Sequence, residues 1–209
     1  MEETRIDMPT DDKVLMMSLI SGGSKKAWLG ITKLQKLSFL VESLLSEKNE
    51  RAFGYEFFMH DQGPISKEAY EDLESLIDNG LVVEDEEGIR LSKTGKEIYC
   101  QFEDTIPKNI SFAIDHVIDE YASLRTSILV DEVHKMKVRL PNGNITKIED
   151  LPRYCVVLPN SAATKLYKLG KDYLETFRVL SDQSLRNSLR EARKKGSNCS
   201  EYKSLVPSS

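Results

Sequence analysis

The segment from Asp61 to Ser92, "DQGPISKEAYEDLESLIDNGLVVEDEEGIRLS", constrains the fold more tightly than any other part of the chain. Gly63-Pro64 breaks the extended run before it, and Ser66 stands where a helix N-cap belongs. Asn79-Gly80 supplies a left-handed exit at the other end. Between them Ala69, Tyr70, Leu73, Leu76 and Ile77 recur at helical spacing, so the segment predicts a short amphipathic helix over 67–79. "LVVEDEEGIRLS" then reads as two short strands turning at Glu87-Gly88. A helix of about three turns with one apolar stripe is marginal by itself and needs a core built by other elements.

The flanking sequence provides them. Upstream, Thr10 is placed to cap a helix carrying Val14, Leu15, Met17, Leu19 and Ile20, with "SGGS" as its stop. A second helix follows in "ITKLQKLSFLVESLLSEK", where Thr32 and Gln35 have capping-box spacing and Leu34, Leu37, Val41 and Leu44 form the buried stripe. "FGYEFFMH" suits a short strand, with Tyr55, Phe57 and Phe58 as core rather than as a base-stacking surface. Ser92 caps one more helix through "KTGKEIYCQF". Two helices are expected between Pro107 and Met136, with apolar positions Ile110, Phe112, Ile114, Val117, Ile118 and Tyr121, then Leu124, Ile128, Leu129 and Val133. "KVRLPNGNITKI" predicts a hairpin about Asn142-Gly143, and "LPRYCVVLPN" a further extended run. Two closing helices carry Ala162, Leu166, Leu169, Tyr173 and Phe177, then Leu185 and Leu189.

The fold class is therefore mainly α with small β (α+β). Helix, helix, short strand, helix and hairpin follow one another as in a winged helix-turn-helix domain, and a C-terminal helical extension with a β-hairpin is appended. The expected layout is a flexible N-terminus over 1–9, the winged-helix domain over 10–103, additional packing helices over 104–136, the hairpin and helical extension over 137–196, and a frayed tail over 197–209. With 209 residues, 40% hydrophobic and 30% charged, the chain can bury a real core. The longest apolar run is far short of a membrane span, and the acidic start "MEETRIDMPTDDK" lacks the apolar segment of a secretory signal. Cys100, Cys155 and Cys199 are widely spaced and form no C-x-x-C, which points to reduced thiols and a cytoplasmic setting.

"ITKLQKLSFLVESLL", "YEFFMHDQGPISKEAYEDLESLIDNGLV" and "LSKTGKEIY" together resemble small archaeal and bacterial winged-helix proteins, especially the Panacea domain of SocA-like antitoxins. The shared features are Leu34-Gln35-Lys36-Leu37, the aromatic run Tyr55–Phe58, Gly63-Pro64 and Leu91–Gly95, followed by a Leu-rich helix ending at His134. The resemblance spans about residues 30–136; the chain lacks the Pro-Trp-like stretch often seen downstream in that group and carries a long basic tail instead. It implies a regulator that works beside a protein partner such as a toxin, without catalysis or a cofactor.

Charge complicates a DNA-reading role. Residues 67–87 hold nine acidic side chains against Lys67 alone. Phosphate neutralisation supplies nearly all non-specific DNA affinity, so the helix placed like a recognition helix has the wrong sign for a duplex. Glu68, Glu71, Asp72, Glu74 and Asp78 are the candidate face for a basic partner; a merely solvated acidic face is the plainer alternative. Nucleic-acid contacts, if made, are expected from Lys25, Lys26, Lys33 and Lys36 around Trp28, from Arg90 of the hairpin, and from Arg186, Arg190, Arg193, Lys194 and Lys195. From Ser161 onward ten basic side chains face five acidic ones, so this basic end is expected to pack near the acidic face or to exchange onto it across a homodimer. The stripe Leu166, Leu169, Tyr173 and Phe177 is the expected two-fold contact.

Two functional classes stay open: a regulator of transcription-factor or antitoxin type, and a protein-interaction module with no nucleic-acid role. His60, His116 and His134 are far apart, and only His116 and Glu120 have i, i+4 spacing, so no metal site is expected. No P-loop, H-E-x-x-H or G-x-S-x-G is present, and no enzyme is expected. A small-ligand sensor has no convergent polar cluster in the sequence to support it.

Overall fold

The computed structural model describes residues 10–140, 143–159 and 167–194. Among these the chain is mainly helical, with three small antiparallel sheets. The elements run α1 (Thr10–Lys26), α2 (Ile31–Ser46), β1 (Phe57–His60), β2 (Gly63–Ile65), α3 (Lys67–Asp78), β3 (Val82–Asp85), β4 (Gly88–Leu91) and α4 (Lys93–Tyr99). They continue with α5 (Lys108–Tyr121), α6 (Thr126–Lys135), β5 (Lys137–Arg139), β6 (Ile145–Lys147), β7 (Val156–Leu158), α7 (Lys171–Ser181) and α8 (Gln183–Lys194).

Helix α2 is the axle of the molecule. Its buried residues include the unbroken run from Lys33 to Glu42, polar side chains among them, so it is covered nearly all round rather than along one stripe. Such a helix must satisfy its polar side chains internally. Gln35 shows how: its amide nitrogen donates to Ser66 O at 3.0 Å and its amide oxygen accepts from Ser66 N at 2.9 Å. That use replaces the expected capping box. Thr32 lies inside the helix, its N-cap is Gly30 with no side-chain cap, and the Thr32 hydroxyl turns to Gln62.

Helix α1 also differs from expectation. It continues through "SGGS" to Lys26 because Gly22 and Gly23 face packed neighbours: a Cβ on Gly22 would stand 2.4 Å from Ile118 Cδ1 on α5. The two glycines are there for close approach, not for a stop.

Ser66 and Ser92 behave as read, accepting from Ala69 N and Gly95 N at the starts of α3 and α4. Gly80 leaves α3 with φ +68°. Gly95 has no alternative, since a Cβ there would lie 1.9 Å from Leu81 O. Gly63-Pro64 does not end the strand but begins the next one. His60 pairs with Gly63 and Met59 with Pro64, so the reversal is at Asp61-Gln62. In the second hairpin Asp85 pairs with Gly88, and the turn is Glu86-Glu87.

The C-terminal run "CVVLPN" returns to the first half of the chain: β7 pairs antiparallel with β1, giving the sheet order β2-β1-β7. One hydrophobic core accordingly runs from Val14 to Phe177. The stripe offered for a two-fold contact is spent inside it: Phe102 meets Phe177 and Tyr173 edge-on at 5.1 and 6.2 Å, and Leu169 is buried. Ala162 and Leu166 lie outside the described residues. Phe112 and Ile128, read as core, are exposed; Phe112 stacks on His116 across one helical turn. No helix among the described residues is long and apolar enough to cross a membrane.

Candidate functional site

Five of the ten lysines and arginines offered as phosphate contacts are occupied within the fold. Lys33 is buried and its ammonium donates to Ala122 O at 3.0 Å, the C-cap carbonyl of α5. Lys36 is fully buried and donates to Pro64 O at 2.8 Å. Arg186 is buried and gives hydrogen bonds to Leu180 O, Ser181 O and Asn79 O. It thereby ties the ends of α7 and α3 together. For Lys33 and Arg186 the physical reason is shared: the last carbonyls of a helix have no partner inside it and carry partial negative charge, so a cation on a long stem is drawn to them. Lys36 instead meets a carbonyl of strand β2. For Lys33, Lys36 and Arg186 the DNA-contact expectation is therefore corrected. Lys26 pairs with Asp119 at 3.0 Å, and Arg90 is turned onto Asp85 and Glu87 at the tip of its own hairpin. Lys25 and Arg190 are exposed. The backbone of Arg193 and Lys194 is in α8, while their side chains and Lys195 lie outside the described residues.

The acidic candidates divide as well. Glu74 and Asp78 are exposed, Glu71 pairs with Lys67 at 3.0 Å, and Glu68 accepts from the Ser66 hydroxyl at 2.7 Å. Asp72 is corrected outright: it points into the core, where Oδ2 accepts from the Tyr55 hydroxyl at 2.8 Å and Oδ1 has no hydrogen-bond partner. Helical periodicity puts it there, since Asp72 sits three residues after Ala69 and four before Leu76, on the apolar face.

Asp72 belongs to a buried polar cluster that sequence reasoning missed. Asp12 of α1 is also buried, accepting from Gly54 N with both oxygens at 3.1 and 3.0 Å. Burial pushes the Asp72 carboxyl up to about 6, with the Tyr55 hydroxyl and Lys13, 4.0 Å away, pulling the other way. Burial raises Asp12 well above the usual carboxylate range, and the neighbouring Asp72 adds to the shift. A second buried group joins Glu42 of α2 to Arg51. Glu42 accepts from Arg51 Nε and from Ala52 N and Phe53 N at 2.8 and 2.7 Å, while Arg51 also donates to Tyr55 O and Pro159 O. The one sequence signal for either cluster was an acid on an apolar stripe.

Three surface features are built rather than incidental. Trp28 is 57% exposed yet lies against the β3–β4 hairpin, its Cδ1 3.1 Å from where a Cβ on Gly88 would stand. The hairpin is fixed to the same loop by Ile89 N donating to Leu29 O at 2.7 Å. Tyr154 adopts φ +66°, a strained left-handed conformation for a bulky residue, and is held there by donating its N–H to Met59 O. Beside it Arg153 reaches Asp61 and His60. Among the described residues no group of three or more His, Cys, Asp and Glu converges to hold a metal. No protein-family model, curated protein or solved structure matches this chain.

Proposed function

We propose that this chain is a regulatory protein of winged-helix type that acts by binding, and that its partner is a basic protein docked on α3 and the β3–β4 hairpin. The order α1, α2, α3, hairpin supports the first half of this reading. Charge carries the second. Within 67–91 only Lys67 and Arg90 are basic, and each is already paired to an acid of the same element or turn. Glu74, Asp78, Glu84 and Glu86 are left facing solvent, and Glu87, paired with Arg90, is exposed beside them. Trp28 beside the hairpin gives this surface an aromatic anchor, the residue type that dominates interface energetics when a partner covers it. The Panacea-like pattern, which implies a protein partner, agrees with this reading. A second reading, DNA binding through Lys25 and Arg190 with the basic end of α8, draws support from the exposure of those two side chains.

The test is co-purification from the native cell with wild-type chain and with the triple reversal Glu71→Lys, Glu74→Lys, Asp78→Lys. A basic protein recovered with the wild type, lost with the reversal and retained by Lys25→Glu/Arg190→Glu is the expected result. Retention of the wild type on duplex DNA at low salt, lost steeply as salt rises and abolished by Lys25→Glu/Arg190→Glu, would replace it with the second reading.

A further inference from the structure

A cleft of about 440 Å³ opens between the first turn of α2, the β1–β2 turn and α3, lined by Thr32, Lys36, His60, Asp61, Ile65 and Tyr70 with Gln62. Its floor holds an electrostatic imbalance. The Lys36 ammonium has three donors and is fully buried, and its hydrogen bond is to a neutral carbonyl, Pro64 O. Among the described residues no carboxylate stands within 4.0 Å of it. A buried cation without a counter-charge is strongly unfavourable unless something anionic completes the site. Burial lowers the Lys36 amine to about 8, which leaves it mainly charged at neutral pH. Asp61, the acid of the lining, is directed to Arg153, with Nη2 to Oδ2 at 3.2 Å.

The surroundings favour negative charge too. Helix α2 begins at Gly30 with no side-chain cap and no acidic residue in its first turn, so the positive end of its dipole beside Thr32 is not compensated. Gly63, at φ +84°, leaves room for the His134 ring, which a Cβ there would approach to 3.0 Å, while the Lys36 stem lies at ordinary contact distance. The opposite wall is apolar, formed by Ile65 and by the Tyr70 ring, which is 41% exposed although it sits on the stripe read as core.

We infer that this cleft binds a small organic anion, a carboxylate on a compact apolar body, with the charged end directed at Lys36 and the body against Ile65 and Tyr70. The cleft shares Tyr70 with α3, the helix proposed for docking, but the anion site is carried by Lys36 and does not rest on that proposal. The probe is benzoate, titrated into the full-length chain and followed by amide resonances of Thr32, His60, Ile65 and Tyr70. Saturable shifts at these four positions are expected, with inorganic phosphate binding more weakly because it lacks the apolar body. Lys36→Gln should weaken benzoate by about tenfold or more, the loss of the buried positive charge beneath the carboxylate. Tyr70→Glu, which puts a carboxylate in the wall of the cleft at an exposed position, should abolish saturation and decides the matter if Lys36→Gln fails to fold. Shifts that do not saturate, equal affinity in either variant, or phosphate binding as tightly as benzoate would overturn the assignment.

Discussion

Asp72 has one oxygen bonded by the Tyr55 hydroxyl and the other without a hydrogen bond, with Lys13 4.0 Å from it, and this makes it a pH-sensitive point of the core. Its carboxyl titrates near 6 in the folded chain against an ordinary value of 3.8. The folded state therefore binds more protons than the unfolded state across that interval. Stability from this group is fully present below the lower value and is lost as pH rises through about 6. Asp12 acts in the same direction. Urea midpoints should accordingly fall between pH 5 and pH 7, and Asp72→Asn should flatten that slope while leaving the part due to Asp12. Tyr55→Phe removes the single donor to a buried carboxylate and should cost about 1–3 kcal/mol at pH 7, measured by urea unfolding. The cost should shrink at pH 5, where the carboxyl is protonated for more of the time.

Among the elements, helix ends set much of the arrangement. α3 and α4 start on serine caps, and Ser66→Ala should lose about 1 kcal/mol in the same assay. The C-terminal ends of α3 and α7 meet at Arg186, whose guanidinium links α8 to the rest of the fold beside Gln183 N, which donates to Asn79 Oδ1 at 3.1 Å. Arg186→Met should raise amide hydrogen exchange through α8 and the last turn of α7, with α2 unchanged; protection retained in α8 would show that its apolar contacts suffice. The caps of α3 and α4 were legible in advance because they depend on residues adjacent in sequence. The partners of Gln35, Lys33 and Arg186 were not, because each bonds a carbonyl or peptide 31, 89 or 107 residues away.

Across the whole molecule, strand β7 and the Arg51–Glu42 pair close the C-terminal region onto α2 and β1, so the segments expected as domain and extension share one core. Arg51→Met would leave Glu42 buried without its cation and should destabilise the protein by roughly 3–5 kcal/mol, in a single transition that includes α7. Calorimetry showing a separate, unaffected C-terminal transition would contradict this. Charge is also a property of the whole. The chain is basic toward its C-terminus by count, yet among the described residues the fold buries Lys33, Lys36, Arg51 and Arg186 together with Asp12, Glu42 and Asp72, so both signs are withdrawn from the surface in nearly equal number.

Local chemistry determined the helices from their periodicity, the serine caps, the glycine exit at Gly80 and the hairpins β3–β4 and β5–β6, because each depends on neighbours within a few residues. The charge of the α3 face was likewise readable, apart from Asp72, since helical spacing alone separates outward from inward positions. Only the tertiary structure decided which charges are free, where "SGGS" and Gly63-Pro64 serve packing rather than termination, and that Lys36 sits beneath a cleft. Those outcomes depend on groups brought together from distant parts of the chain, and burial, not sequence spacing, sets what a charged side chain does there.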